Sequence, residues 1–153
     1  DRPGIRPEHP QKDDRRRQLM ATVRILKDEE LSPEAAEVFA DIRATRGSDF
    51  VNNIWRSLAY DPPLLIATWE RVKTVMAPRE DGLDPLTKEL IYMAVSVANG
   101  CQYCVQSHTA MARAKGMTEA QHAEFVDLVM AASSTNALAT ALQTPVDDVF
   151  EVE

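Results

Sequence analysis

Hydrophobic positions recur every three or four residues along most of the chain, and no Val/Ile/Thr-rich alternation marks a strand. The pattern predicts an all-α fold of about six to eight helices. Leu19, Val23 and Leu26 share one face of a stretch over 15–27. Ser32 followed by Pro33 signals a helix start, and Gly47 its end near Thr45. Another helix is expected from Ser48 or Asp49 through Trp55 to Tyr60. Asp61-Pro62-Pro63 breaks it and starts the next, which ends before Pro78. Asp84-Pro85 opens a strongly apolar segment with Leu86, Leu90, Ile91, Met93, Ala94, Val95, Val97 and Ala98. It is apolar nearly all round, so burial at the centre is expected. Beyond Gly100 a helix runs to about Lys115, with Gly116 as its stop. Thr118 and Gln121 fit a capping box for a helix to about Ala132, and a last helix is expected over Thr135–Gln143, ended by Pro145. Phe39, Phe50, Trp55 and Trp69 are expected to fill the core, and His122 to lie on the surface.

A chain of 153 residues is expected to form one domain with a buried core. The expected division is an N-terminal arm over 1–18, a single helical domain over 19–145 and a tail over 146–153. The arm carries Pro3, Pro7 and Pro10, then a charged run from Lys12 to Arg17 that reads as a solvated face or a contact with a neighbouring subunit. The net charge of −7 argues against a general nucleic-acid partner and gives no reason to expect anionic membranes. No apolar run approaches the roughly 18 residues of a membrane span, and no signal-peptide pattern opens the chain. The first residue is Asp1, which leaves open the removal of an original N-terminus. The expected compartment is the cytoplasm. There a close cysteine pair points to catalysis or metal binding rather than to a structural crosslink.

Such a pair is present. Cys101 and Cys104 are the two cysteines of the chain, separated by Gln102 and Tyr103. Three-residue spacing on a helix brings two thiols close enough for a short disulfide. Standing behind Gly100, they open a helix, where unpaired N–H groups and the dipole favour a thiolate. His108 lies one turn beyond Cys104 on the same face, within reach as a base. Glu89 interrupts the apolar helix before the pair, and an acid on a buried helix wants a partner. His108 suits it, so Glu89, His108 and Cys104 could form a relay that activates a nucleophile. Tyr103, Tyr92 and Ser96 could add hydroxyls near the pair. Zinc held by Cys101, Cys104 and His108, completed by Glu89 or water, stays open, as does plain burial of two small apolar side chains. No cofactor is expected.

Glu89, Cys101, Cys104 and His108, with Leu83-Asp84-Pro85, Glu89-Leu90-Ile91, Ala98-Asn99-Gly100, His108-Thr109 and Ala114-Lys115-Gly116 around them, resemble the alkylhydroperoxidase D-like proteins of the carboxymuconolactone decarboxylase superfamily. The likeness spans about residues 55–132. It implies a helical fold assembled into trimers or hexamers. The implied activity is a thiol peroxidase, or a disulfide reductase serving a peroxiredoxin, acting on a hydroperoxide with a thiol or dithiol as electron donor. By position, Cys104 would attack peroxide with His108 as base, Cys101 would resolve the product to a disulfide, and Glu89 would complete the relay. Tyr103 stands where the best-known members carry a histidine, which bears on the full relay and the usual reductant. True decarboxylases of the superfamily generally lack the cysteine pair, so its presence argues against lactone decarboxylation. Local electrostatics pull the other way on one point: the helix start favours Cys101 as the more acidic thiol, whereas the nearby base favours Cys104. A redox-controlled scaffold, whose disulfide governs assembly, is the alternative from outside enzymology.

Overall fold

A computed structural model describes residues 21–150. Among them are six α-helices and no strand: α1 (Pro33–Arg46), α2 (Asn53–Leu58), α3 (Pro62–Met76), α4 (Pro85–Ala98), α5 (Gln102–Ala114) and α6 (Glu119–Leu142), with 3-10 turns at Asp28–Glu30 and Asp148–Phe150. The all-α expectation holds. The arm expected over 1–18 and the beginning of the stretch over 15–27 lie outside the described residues, and 21–27 are not helical. The chain divides into two compact units, Asp1–Val75 and Met76–Glu153.

In the first unit, the Ser32 hydroxyl accepts the Ala35 N–H at 3.2 Å, Pro33 opens α1, and Gly47 closes it in the left-handed conformation. Phe39, Ile42, Val51, Trp55, Leu65 and Trp69 form the core. The two indole rings meet edge-on, with centroids 5.3 Å apart. Asp41 accepts the Trp69 indole N–H at 2.6 Å and the Lys73 ammonium at 2.7 Å, clasping α1 to α3. Two expectations need correction here. The helix expected from Ser48 or Asp49 begins only at Asn53. Ser48 Oγ instead accepts the Phe50 N–H at 3.2 Å, and Arg43 Nε donates to the Asp49 carbonyl at 3.0 Å, which holds this segment as a turn. Phe50 therefore loses its helical phase and is 67% exposed, while its neighbour Val51 takes the inward position.

In the second unit, the Asp84 carboxylate accepts the Leu86 and Thr87 N–H groups at 2.9 and 3.0 Å, and Pro85 begins α4. The core consists of Met93, Ala112 and Met117, with Leu86, Leu90 and Phe125 packed against it. The expected burial of α4 on all sides is not met within the chain. Its buried residues are Glu89, Met93 and Ser96, which share one face, while Ile91 and Val95 on the other are 47% and 53% exposed. Gly100, at φ +67°, reverses the chain between α4 and α5, a conformation a side-chain-bearing residue adopts only at a cost. Gly116, at φ +93°, does the same after α5.

The last helix also differs from expectation. Thr118 and Gln121 form the capping box through bonds of 3.1 and 2.8 Å, but α6 then runs unbroken for 24 residues to Leu142. The break expected between Ala132 and Thr135 does not form. Thr135 Oγ1 folds back onto the carbonyls of Ala131 and Ala132, both at 3.1 Å, so its hydroxyl is satisfied inside the helix. Undivided, α6 is long and apolar enough to cross a membrane by length and composition alone, contrary to the expectation that no segment is. None of its residues is buried within the chain. His122 is half-buried rather than fully on the surface, and its ring stacks near that of Phe125.

Candidate active site

Cys101 occupies the N-cap of α5, and its sulfur accepts the Cys104 N–H at 3.3 Å. The Cys101 N–H in turn donates to the Ser96 carbonyl at 2.9 Å, which ties the start of α5 to the end of α4. The two cysteines are joined in a disulfide, with Cα atoms 5.3 Å apart, inside the span such a bond requires. The first turn of α5 is thus the redox-capable part of the unit. Ser107 Oγ donates to the Cys104 carbonyl at 3.2 Å, within the same helix.

Two turns of α5 and one face of α4 build the rest. His108 Nδ1 lies 2.6 Å from Glu89 Oε2. Glu89 is only 2% exposed, and its other oxygen, Oε1, accepts from the ammonium of Lys115. Burial by itself would push the Glu89 carboxyl up. The hydrogen bonds from His108 and Lys115, with the charge of Lys115, outweigh it and hold the group below the ordinary carboxylate range. Glu89 is therefore ionised at neutral pH. A carboxylate can only accept, so the ring proton of His108 belongs on Nδ1. Nε2 is then the nitrogen that can take up a further proton. The Tyr92 ring stacks on the imidazole at 4.1 Å and 17°, fixing its plane. Carboxylate, ring and stacking partner together leave His108 little rotational freedom.

Each residue singled out from the sequence has a defined place. Glu89, Tyr92 and His108 are in mutual contact through the carboxylate and the ring stack. Cys104 and His108 stand one turn apart on α5. Ser96 is buried, but its hydroxyl donates to the Tyr92 carbonyl at 2.6 Å and is thus tied to its own helix. Tyr103, between the cysteines, is 42% exposed. Lys115, the C-cap of α5, is the site residue that the sequence reading misses. Its signal is its spacing: seven residues beyond His108 is two helical turns, which brings it to the same side as the imidazole. No group of three or more His, Cys, Asp or Glu side chains that could hold a metal ion occurs among the described residues.

The chain matches the model of the carboxymuconolactone decarboxylase family over residues 63–145, more than half of its length. It belongs to that family. The match begins within α3 and includes all of α6, reaching further toward the C-terminus than the expected 55–132. A protein named alkyl hydroperoxide reductase AhpD from Solibacter usitatus is 37% identical over 68 residues, which are 44% of this chain and 37% of that protein. The chain thus spans little more than a third of that curated relative's length. The crystal structure of the alkylhydroperoxidase AhpD core from Rhodospirillum rubrum is 65% identical, superposes with a TM-score of 0.84, and covers 88% of this chain and 99% of that one. At that identity the likeness extends beyond the fold to the AhpD-like branch of the family.

Proposed function

We propose that this chain is a thiol-dependent peroxidase or disulfide reductase that cycles Cys101 and Cys104 between dithiol and disulfide. One observation carries the reading: a disulfide at the start of α5, one turn from an imidazole that is itself hydrogen-bonded to a buried carboxylate. The AhpD names of the two relatives support the same chemistry. In the reduced protein, His108 Nε2 accepts the proton of the Cys104 thiol. The thiolate attacks the distal oxygen of a hydroperoxide, the O–O bond breaks, and the departing alkoxide takes up a proton to leave as an alcohol. Cys104 is now a sulfenic acid. Cys101 attacks its sulfur as its own thiol proton passes by way of His108 to the departing hydroxyl group, which leaves as water and closes the disulfide. A thiol, a dithiol or a peroxiredoxin partner then exchanges with that disulfide and restores both thiols.

The division of labour between the two sulfurs follows their surroundings. Cys101 sits at the helix N-cap and receives the Cys104 N–H, which favours negative charge on the resolving sulfur. Cys104 is one turn from the base. Tyr103 in the intervening place leaves one imidazole to serve the pair, so all proton transfer is assigned to His108 and Glu89.

The cycle needs a reducing compartment, which fits a cytoplasmic location. It also fits a homo-oligomer, a trimer or a hexamer: Leu128, Met130, Leu138 and Leu142 on α6 are exposed in the single chain, and copies of the chain would cover them. Light scattering of the purified protein should give a multiple of the chain mass; a monomer, or a protein recovered only with membranes, would contradict this. The function itself is tested by following hydroperoxide consumption with a dithiol reductant. Cys104→Ser should reduce turnover to background, and unchanged turnover in that variant would sink the mechanism.

A further inference from the structure

Glu89 is an unusual base partner because both of its oxygens are taken by potential cations. His108 holds Oε2 and Lys115 holds Oε1, while the carboxylate is sealed from water. The consequence is electrostatic. A buried carboxylate facing an imidazole alone draws a proton onto the ring, because an ion pair costs less than a lone buried charge. An imidazole already protonated cannot take the thiol's proton. With Lys115 in place the carboxylate is neutralised before His108 is counted.

We infer that Lys115 is a positioning residue whose charge, delivered through Glu89, keeps the His108 imidazole neutral and able to accept a proton. This rests on the role of His108 as base given above. Lys115 is well placed for the task. Its backbone N–H bonds to the Met111 and Ala112 carbonyls at 3.1 and 3.0 Å, and Gly116 turns the chain away immediately after it. The side chain therefore starts from a fixed point at the C-terminal end of α5, where a cation is favoured. Its side chain is 29% exposed, so the ammonium keeps some hydration while touching a carboxylate that has none.

Other ionisable groups nearby do not supply this charge. On α4, Lys88 reaches away to the Ala77 carbonyl, and Tyr92 offers its ring face to His108. On α5, Arg113 pairs with Glu119 of α6 at 3.5 Å, and Cys104 lies on the His108 face. The remaining ionisable groups of α6 are His122, Glu124 and Asp127. Among the described residues, the side chains that act on Glu89 are His108 and Lys115.

The test reads the ring directly, by the imidazole nitrogen NMR shifts of His108 in the disulfide form of the full protein at neutral pH. These shifts distinguish a neutral ring from an imidazolium. Wild type should show a neutral ring protonated on Nδ1. In Lys115→Met the ratio of imidazolium to imidazole should rise about tenfold, the scale of one lost charge acting through a shared buried carboxylate. Lys115→Gln keeps a hydrogen-bond donor without the charge and should resemble Lys115→Met, whereas Lys115→Arg should restore the wild-type signal. Far-UV circular dichroism identifies any variant that fails to fold, in which case the Gln and Arg variants carry the comparison. A wild-type signal in Lys115→Gln would overturn the inference, since the lysine would then be needed only as a donor. The readout involves no turnover, so a wild type without peroxidase activity would remove the functional proposal while leaving this result to stand or fall by itself.

Discussion

Two carboxylates in this chain have nearly the same partners. Asp41 of the first unit accepts a ring N–H from Trp69 and an ammonium from Lys73. Glu89 of the second accepts from a ring nitrogen of His108 and an ammonium from Lys115. Both carboxyls are held below their ordinary range: Asp41 by Lys73 and Trp69, Glu89 by His108 and Lys115 against the opposing effect of burial. The difference lies in two details. The Asp41 side chain is 37% exposed, and its ring partner is an indole that neither gains nor loses a proton. The Glu89 carboxylate is buried, its ring partner is an imidazole, which can take up and release a proton, and the two cysteines stand at the start of the helix that carries that imidazole. A carboxylate–lysine–ring cluster is therefore a clasp in one place and, in the proposed cycle, proton machinery in the other. Burial and a titratable ring make the distinction, not the list of partners.

The largest expected contrast is in stability. Glu89→Ala leaves Lys115 and His108 without their shared partner and should cost about 3 kcal/mol in chemical denaturation, the lower end for a broken buried pair because the Lys115 ammonium keeps some hydration. A loss near zero would mean that water enters freely and that Glu89 is not a buried charge in solution. Next comes turnover. Glu89→Gln keeps the shape but removes the charge, and should lower hydroperoxide consumption on the order of 100-fold, the usual scale of an impaired general base. Asp41→Asn should leave turnover unchanged, and its stability loss should be a small fraction of that of Glu89→Ala, because exposed pairs contribute little. If Asp41→Asn were as damaging as Glu89→Gln, the two clusters would not differ in kind.

Much of this architecture could be read from local chemistry. Ser32-Pro33, Asp84-Pro85 and the Thr118/Gln121 pair each mark a helix start, because a cap is built from residues adjacent in sequence. Glu89 and His108 could be linked because one is an acid out of place on an apolar helix and the other a base at helical spacing from a thiol. What could not be read depended on choices made elsewhere in the fold. Which face of α4 is buried depends on α5, and that face carries Glu89 and Ser96 rather than the bulkier Ile91 and Val95. Phe50 and Val51 differ by one position in a turn set by Arg43 and Ser48, and the more apolar side chain lost. The continuity of α6 rests on a hydroxyl satisfied by its own helix, which a count of polar residues reads as a break. Lys115 was hidden because its partner lies on another helix, 26 residues back.

The smallest expected effect is the response to acid. Because the Glu89 carboxyl is lowered on folding, its contribution is full above the ordinary glutamate range, near 4.3, and is lost as pH falls through the folded value. Wild type should lose stability on acidification more steeply than Glu89→Gln, as read from denaturation midpoints over that range. Parallel curves would show that Glu89 carries no folding-linked charge.

The claim at the centre, that Cys101 and Cys104 act together as a two-electron couple, is tested most directly by stoichiometry. Fully reduced protein is treated with one equivalent of an organic hydroperoxide, the free thiols are counted, and the product is mapped by mass spectrometry. The account predicts that both thiols disappear together, that one equivalent of alcohol forms, and that the protein carries a Cys101–Cys104 disulfide which a dithiol returns to two thiols. Two thiols still free, with the hydroperoxide intact, would contradict it.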